Sequence, residues 1–114
     1  MKVARIARVA LLGLLAVPAL ALATTWSGVP MIDSHCAKKH ADDPDSHTRE
    51  CDLMCQKNGY GVLVEGHYYT FDAAGNKLAL AALKASDQKD HVRVNVTGEL
   101  EGGTIKVESL EMAH

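Results

Sequence analysis

The sequence is poor in aromatic residues, with one Trp, three Tyr and one Phe in 114 residues. It has three prolines, and its three cysteines cannot all be paired within one chain. So few aromatics leave little platform on which to stack single-stranded bases. No serine stands in a G-x-S-x-G elbow; the first lies in Trp26-Ser27-Gly28. There is no glycine-rich phosphate loop of P-loop type and no H-E-x-x-H pair. Carboxylates are scattered rather than paired at helical spacing in apolar surroundings. These absences speak against an enzyme. The length excludes a multidomain protein and a deep core, because small domains bury a modest share of their surface.

What is present begins with a basic start. Lys2, Arg5 and Arg8 precede an uncharged, Leu- and Ala-rich run from Val9 to Ala23, which closes on Ala21-Leu22-Ala23. Residues 1–23 therefore read as a secretory signal peptide, and residues 24–114 as one exported domain, periplasmic or secreted. The run is shorter than the ~20 apolar residues that span a bilayer, so no stable membrane anchor is expected. Removing the leader takes three of the 12 basic residues, leaving nine against 14 acidic ones, a net charge of −5 with His neutral. Such a domain repels phosphate backbones, so nucleic acid is excluded as a partner.

Along the remaining chain the pattern changes twice. Trp26–Ile32 reads as a strand. Residues 34–59 are polar, poor in β-formers and hold all three cysteines and three of the six histidines. Within them Pro44 breaks the chain, Ser46 or Thr48 is placed to cap a helix through Cys51 and Cys55, and Gly59 is placed to end it. From Gly61 the period becomes two. Gly61–Glu65 and His67–Asp72 read as a hairpin joined at Glu65-Gly66. Asp72–Asn76 reads as a turn and Lys77–Ala85 as a short helix. Two final strands, His91–Gly98 and Thr104–Leu110, point Val92, Val94, Val96, Ile105 and Val107 inward. This order matches a mainly β, five-stranded OB-like barrel with a helical Cys/His insertion after the first strand; an open α+β sheet has the same elements.

The insertion carries the chemistry. His47, Cys51 and Cys55 are spaced i, i+4, i+8, which on a helix is one face. Cys36 and His40 are also one turn apart, with His35 adjacent. Two facing helical turns would bring His35, Cys36, His40, His47, Cys51 and Cys55 around one point, with Asp33 able to supply an oxygen. Zinc takes four such ligands, and copper(I) a thiolate-rich subset. The spacing is not that of paired C-x-x-C zinc fingers. The same cysteines suit a disulfide, Cys36–Cys51 or Cys36–Cys55, which would staple the insertion and leave one thiol over. Closing a loop of that size is worth about 3 kcal/mol. Two functions follow: an exported, non-catalytic metal-binding protein for zinc or copper, or a disulfide-stabilised module presenting Trp26, Tyr68 or Tyr69 to an exported protein or glycan. His67 and His91, at strand starts, are expected in solvent. Met54 is expected in the core of its helix.

The strings Trp26-Ser27-Gly28, Ile32-Asp33-Ser34-His35-Cys36, His40, Cys51-x-x-x-Cys55 and Lys57-Asn58-Gly59 resemble a family of small exported bacterial proteins of unknown function. So do the alternating Val94, Val96 and Gly98 and the later Gly103, Ile105, Val107 and Ser109. The resemblance spans Trp26 to Leu110. It implies export and a single small β-rich domain, and it carries over no activity and no ligand.

Overall fold

A computed structural model describes residues 22–114. The expected leader at 1–23 lies outside the described residues apart from its last two. Five strands, β1 (Thr24–Asp33), β2 (Tyr60–Val64), β3 (His67–Phe71), β4 (Arg93–Glu101) and β5 (Thr104–Met112), close a barrel in the order β1-β2-β3-β5-β4. Two helices accompany them: α1 (Arg49–Met54) in the insertion and α2 (Ala73–Ala85) between β3 and β4. This is the OB-like barrel, and not the open sheet: β1 pairs with β4, and the parallel contacts Thr70–Thr104 and Phe71–Ile105 complete the ring. Closing the sheet removes the free edges that an open one would expose.

The alternation read from β4 and β5 holds. Val94, Val96, Ile105 and Val107 are buried, and Val92 just before β4 joins them. Met31, Tyr60, Val62, Phe71, Ala79 and Leu83 complete the core, with Trp26 packed against it half-buried. At the hairpin, Glu65 and Gly66 both have positive φ, 50° and 82°, as a two-residue turn matching the strand twist requires.

The turn expected at Asp72–Asn76 is instead the first turn of α2. The Asp72 carboxylate accepts the Gly75 N–H at 2.9 Å and also the Val107 N–H at 3.2 Å. One side chain thus caps the helix and ties it to β5. Gly75 sits where a Cβ would collide with Val107 and Phe71, so its lack of a side chain sets how closely α2 approaches the barrel.

Three tethers dock the insertion onto this frame. Arg93 of β4 grips Asp45 with two hydrogen bonds, 3.0 Å from Nε and 2.9 Å from Nη2. Arg49 Nε donates to the Leu83 carbonyl at the end of α2, 2.7 Å away. The third tether is the buried polar group described next.

Candidate metal centre

β1 ends on Asp33, whose carboxylate turns inward, fully buried. Its Oδ2 accepts the Cys36 N–H at 3.0 Å, which folds the chain back and begins a single helical turn closed by His40 N–H on the Cys36 carbonyl at 3.1 Å. The expected turn joining Cys36 and His40 is therefore present.

The expected single face of His47, Cys51 and Cys55 is not. Pro44 starts a short 3-10 turn, Pro44–Ser46, and His47 follows it in extended conformation, φ −73° and ψ 135°. Thr48 is also extended, and its hydroxyl caps α1 by accepting the Cys51 N–H at 3.2 Å. The helix begins only after His47, so the i, i+4 relation to Cys51 has no helical meaning. His47 points into the molecule and is buried, whereas Cys51 is exposed and Cys55 half-buried at the end of α1.

Inside, His47 Nε2 lies 2.8 Å from Asp33 Oδ1 and 2.8 Å from Asp52 Oδ1. Asp52 Oδ1 also accepts the Asp33 N–H at 2.9 Å. One N–H shared between two carboxylate oxygens makes two weaker bonds than one aligned with a single acceptor, and a cation among the three atoms would engage all of them. Among the described residues, two buried side-chain atoms have no hydrogen-bond partner, and both belong here: His47 Nδ1 and Asp52 Oδ2. Leaving such groups unmade is costly in a small core. Asp33, Cys36 and His47 each bring one ligand atom, all within 4.8 Å of one another, and so form a group able to hold a metal ion.

The electrostatics agree with the geometry. Burial pushes the Asp52 carboxyl up to about 8; the Asp33 N–H works against this, and the Asp33 carboxylate adds to it. Burial, followed by the negative charge of Asp33, pushes the Cys36 and Cys55 thiols up as well. Tyr60, buried beneath α1, donates to the Asp52 carbonyl at 2.7 Å. Burial and the charges of Asp52 and Asp33 raise its phenol to about 12, which keeps it a donor. The groups thus oppose one another's ionisation in a buried site, which holds Asp52 and the thiols in their protonated forms and which a cation would relieve.

The sequence candidates divide accordingly. Cys36 and His47 enter the centre. His40 packs beside it, its ring centroid 4.8 Å from that of His47 and tilted by 52°, with Nδ1 turned toward Ser46 Oγ at 3.4 Å. His35 is exposed on the loop. Cys51 and Cys55 sit outside the Asp33–Cys36–His47 group. All three cysteines are free thiols, so neither the Cys36–Cys51 nor the Cys36–Cys55 bridge is formed; the Arg93, Arg49 and Asp33–Asp52 tethers hold the insertion instead. Met54, expected in the core, is 77% exposed, because α1 is only six residues long and turns Asp52 and Leu53 inward. His67 and His91 are exposed, as expected.

Asp52 is the residue that sequence reasoning missed. It lies five positions from His47 and among charged neighbours, where nothing separates it from a solvated helix residue. Only its burial at 0% exposure beside Asp33 marks it. Comparisons of the chain with family models, with curated proteins and with solved structures return no match.

Proposed function

We propose that this protein is a small, exported, non-catalytic metal-binding protein whose buried centre holds zinc. Asp33, Cys36 and His47 are its ligands, and Asp52 Oδ1 closes the shell. The observation that carries the reading is the convergence of Asp33 Oδ1 and Asp52 Oδ1 on one His47 nitrogen at 2.8 Å. A mixed sulfur, nitrogen and oxygen set of four suits zinc. Asp33, His47 and Asp52 are closed to solvent at 0%, 2% and 0% exposure, which favours a structural or storage role. Export through the leader at residues 1–23, and kinship with the small exported proteins that the Cys/His strings resemble, belong to the same proposal.

The test is stoichiometric binding of zinc, with cobalt(II) as its coloured substitute. The reduced protein is expected to take one equivalent and to show tetrahedral cobalt bands with a thiolate charge-transfer feature. Asp52→Asn, which keeps the size of the side chain, is expected to weaken binding at least tenfold. Absence of cobalt uptake by the wild-type chain would end this reading.

A further inference from the structure

The insertion meets the barrel along a second line, away from the buried carboxylates. Leu63 of β2 and Ala37 of the loop after β1 are buried, at 8% and 6% exposure, yet neither belongs to the barrel's core cluster. Alternation accounts for Leu63: its neighbour Val62 packs in that core, so Leu63 faces the other way, beneath the insertion. With Ala41 and Tyr68, these two side chains line an open cavity of about 320 Å³. That volume lies at the small end of ligand pockets, and the lining is of the kind they use, apolar walls with a few polar groups.

The polar groups differ in whether they are already engaged. The Tyr68 hydroxyl donates to the Ile32 carbonyl at 2.8 Å. Its one proton is used there, so in the 3.0 Å contact between Tyr68 Oη and Ser34 Oγ the serine is the donor. Both hydroxyl protons are thus held within the wall, which leaves neither to orient a polyol. Lys38 is different. It lines the same cavity, is exposed, and takes part in no ion pair among the described residues. The cavity therefore offers apolar surface and one free positive charge, in a domain where nine basic residues face 14 acidic ones.

We propose that this cavity binds a carboxylate carrying a short aliphatic chain. The chain lies over Leu63, Ala37 and Ala41, where it needs no hydrogen-bond partner. The carboxylate meets the Lys38 ammonium, one negative charge against one positive. The site contains none of Asp33, Cys36, His47 and Asp52, and its occupancy does not require metal beside them.

The experiment follows the amide chemical shifts of isotopically labelled protein during titration with octanoate below its micelle concentration. Octanol, the chain without the charge, and acetate, the charge without the chain, are titrated in parallel. Octanoate is expected to shift the amides of Ala37, Ala41, Leu63 and Tyr68 to saturation, and acetate is expected to leave them in place. Lys38→Gln is expected to weaken octanoate about threefold to fivefold, the range of an exposed ion pair, and to leave octanol unchanged. Ala41→Phe, at an exposed position, fills the cavity and is expected to weaken both chains at least tenfold. Its amide spectrum reports whether the fold is kept, and where it is not, the Lys38→Gln comparison decides. No saturable shift with octanoate at these amides, or undiminished binding by a folded Ala41→Phe, would overturn the site. Equal octanoate affinity in wild type and Lys38→Gln would overturn the carboxylate as its ligand.

Discussion

The barrel and its insertion are stabilised in opposite ways. In the barrel, Met31, Val62, Val94, Val96 and Ile105 are sealed from water at 1% exposure or less; alternation places the last three, whereas Met31 and Val62 lie in runs buried on both faces. In the insertion, residues 34–59, the buried side chains are Ala37, His47 and Asp52, one small apolar group against two polar ones. The barrel is held by apolar area, which is non-directional and tolerant. The insertion is held by a few directed contacts to carboxylates and guanidinium groups, and it keeps two buried atoms without partners. A segment that buries polarity in preference to apolar surface has most to gain from a bound cation, and under the proposed function its folding is linked to that ion.

That contrast can be broken at its strongest point first. Ile105→Ala removes a fully buried barrel side chain and is expected to cost about 3 kcal/mol. The loss should be the same with and without zinc in a denaturant titration. An Ile105→Ala penalty that zinc abolishes would mean the two regions are one energetic unit.

Zinc itself is the next largest effect. At a free concentration one hundred times its dissociation constant it is expected to stabilise the fold by about 2.7 kcal/mol. A chelator should return the melting temperature to its starting value, and the Asp52→Asn variant, binding at least tenfold more weakly, should gain about 1.4 kcal/mol or less. An equal gain in wild type and variant would place the ion elsewhere than beside Asp52.

The pH response sharpens the comparison further. The Asp52 carboxyl titrates near 3.8 in an unfolded chain and about 8 in the fold. Between those values the folded protein keeps a proton that the unfolded chain has released. Unfolding then sheds a proton, and the stability of the metal-free protein is expected to fall as pH rises from about 4 to about 8. Asp52→Asn should flatten this slope. Metal displaces the same proton, so zinc affinity is expected to rise with pH over that window. Thermal melts and cobalt titrations at pH 5, 6.5 and 8 check both signs.

The smallest expected effect is local. Thr48→Ala removes the hydroxyl that caps α1 and is expected to cost about 1 kcal/mol. Because Thr48 also separates the extended His47 from the helix, the variant should lower cobalt affinity more than its stability loss alone explains. A variant with unchanged cobalt affinity would show that His47 is positioned by Pro44 and the Asp45–Arg93 grip alone.

Much of the frame was legible before any coordinates. Period-two runs of Val and Ile, the Glu65-Gly66 turn and the order of elements contain the barrel, because alternation on a half-buried strand is a local rule written into neighbouring residues. Asp72 was legible as a polar residue at a break; that it starts a helix rather than a turn depends on Gly75 fitting beneath Val107. The site was legible only in part. Cys36 and His47 stood out as metal-ligating types, and the structure brings both together with Asp33. Their grouping on one helix face with Cys51 and Cys55 was wrong, since Pro44 and the Thr48 cap start the helix too late to include His47.

By itself, then, the sequence determined the strands and their order, the inward faces of β4 and β5, and the segment that gathers the cysteines and three of the histidines. Those follow from hydrophobic period and turn residues, which act over a few positions. Only the tertiary structure decided that the sheet closes, that Asp33 and Asp52 meet at one histidine nitrogen, that Met54 faces water and that the thiols stay unbridged. The meeting at His47 depends on the approach of segments 14 to 19 residues apart. Residue type cannot tell a carboxylate in solvent from one buried against another; only the packing of the insertion onto the barrel makes that distinction.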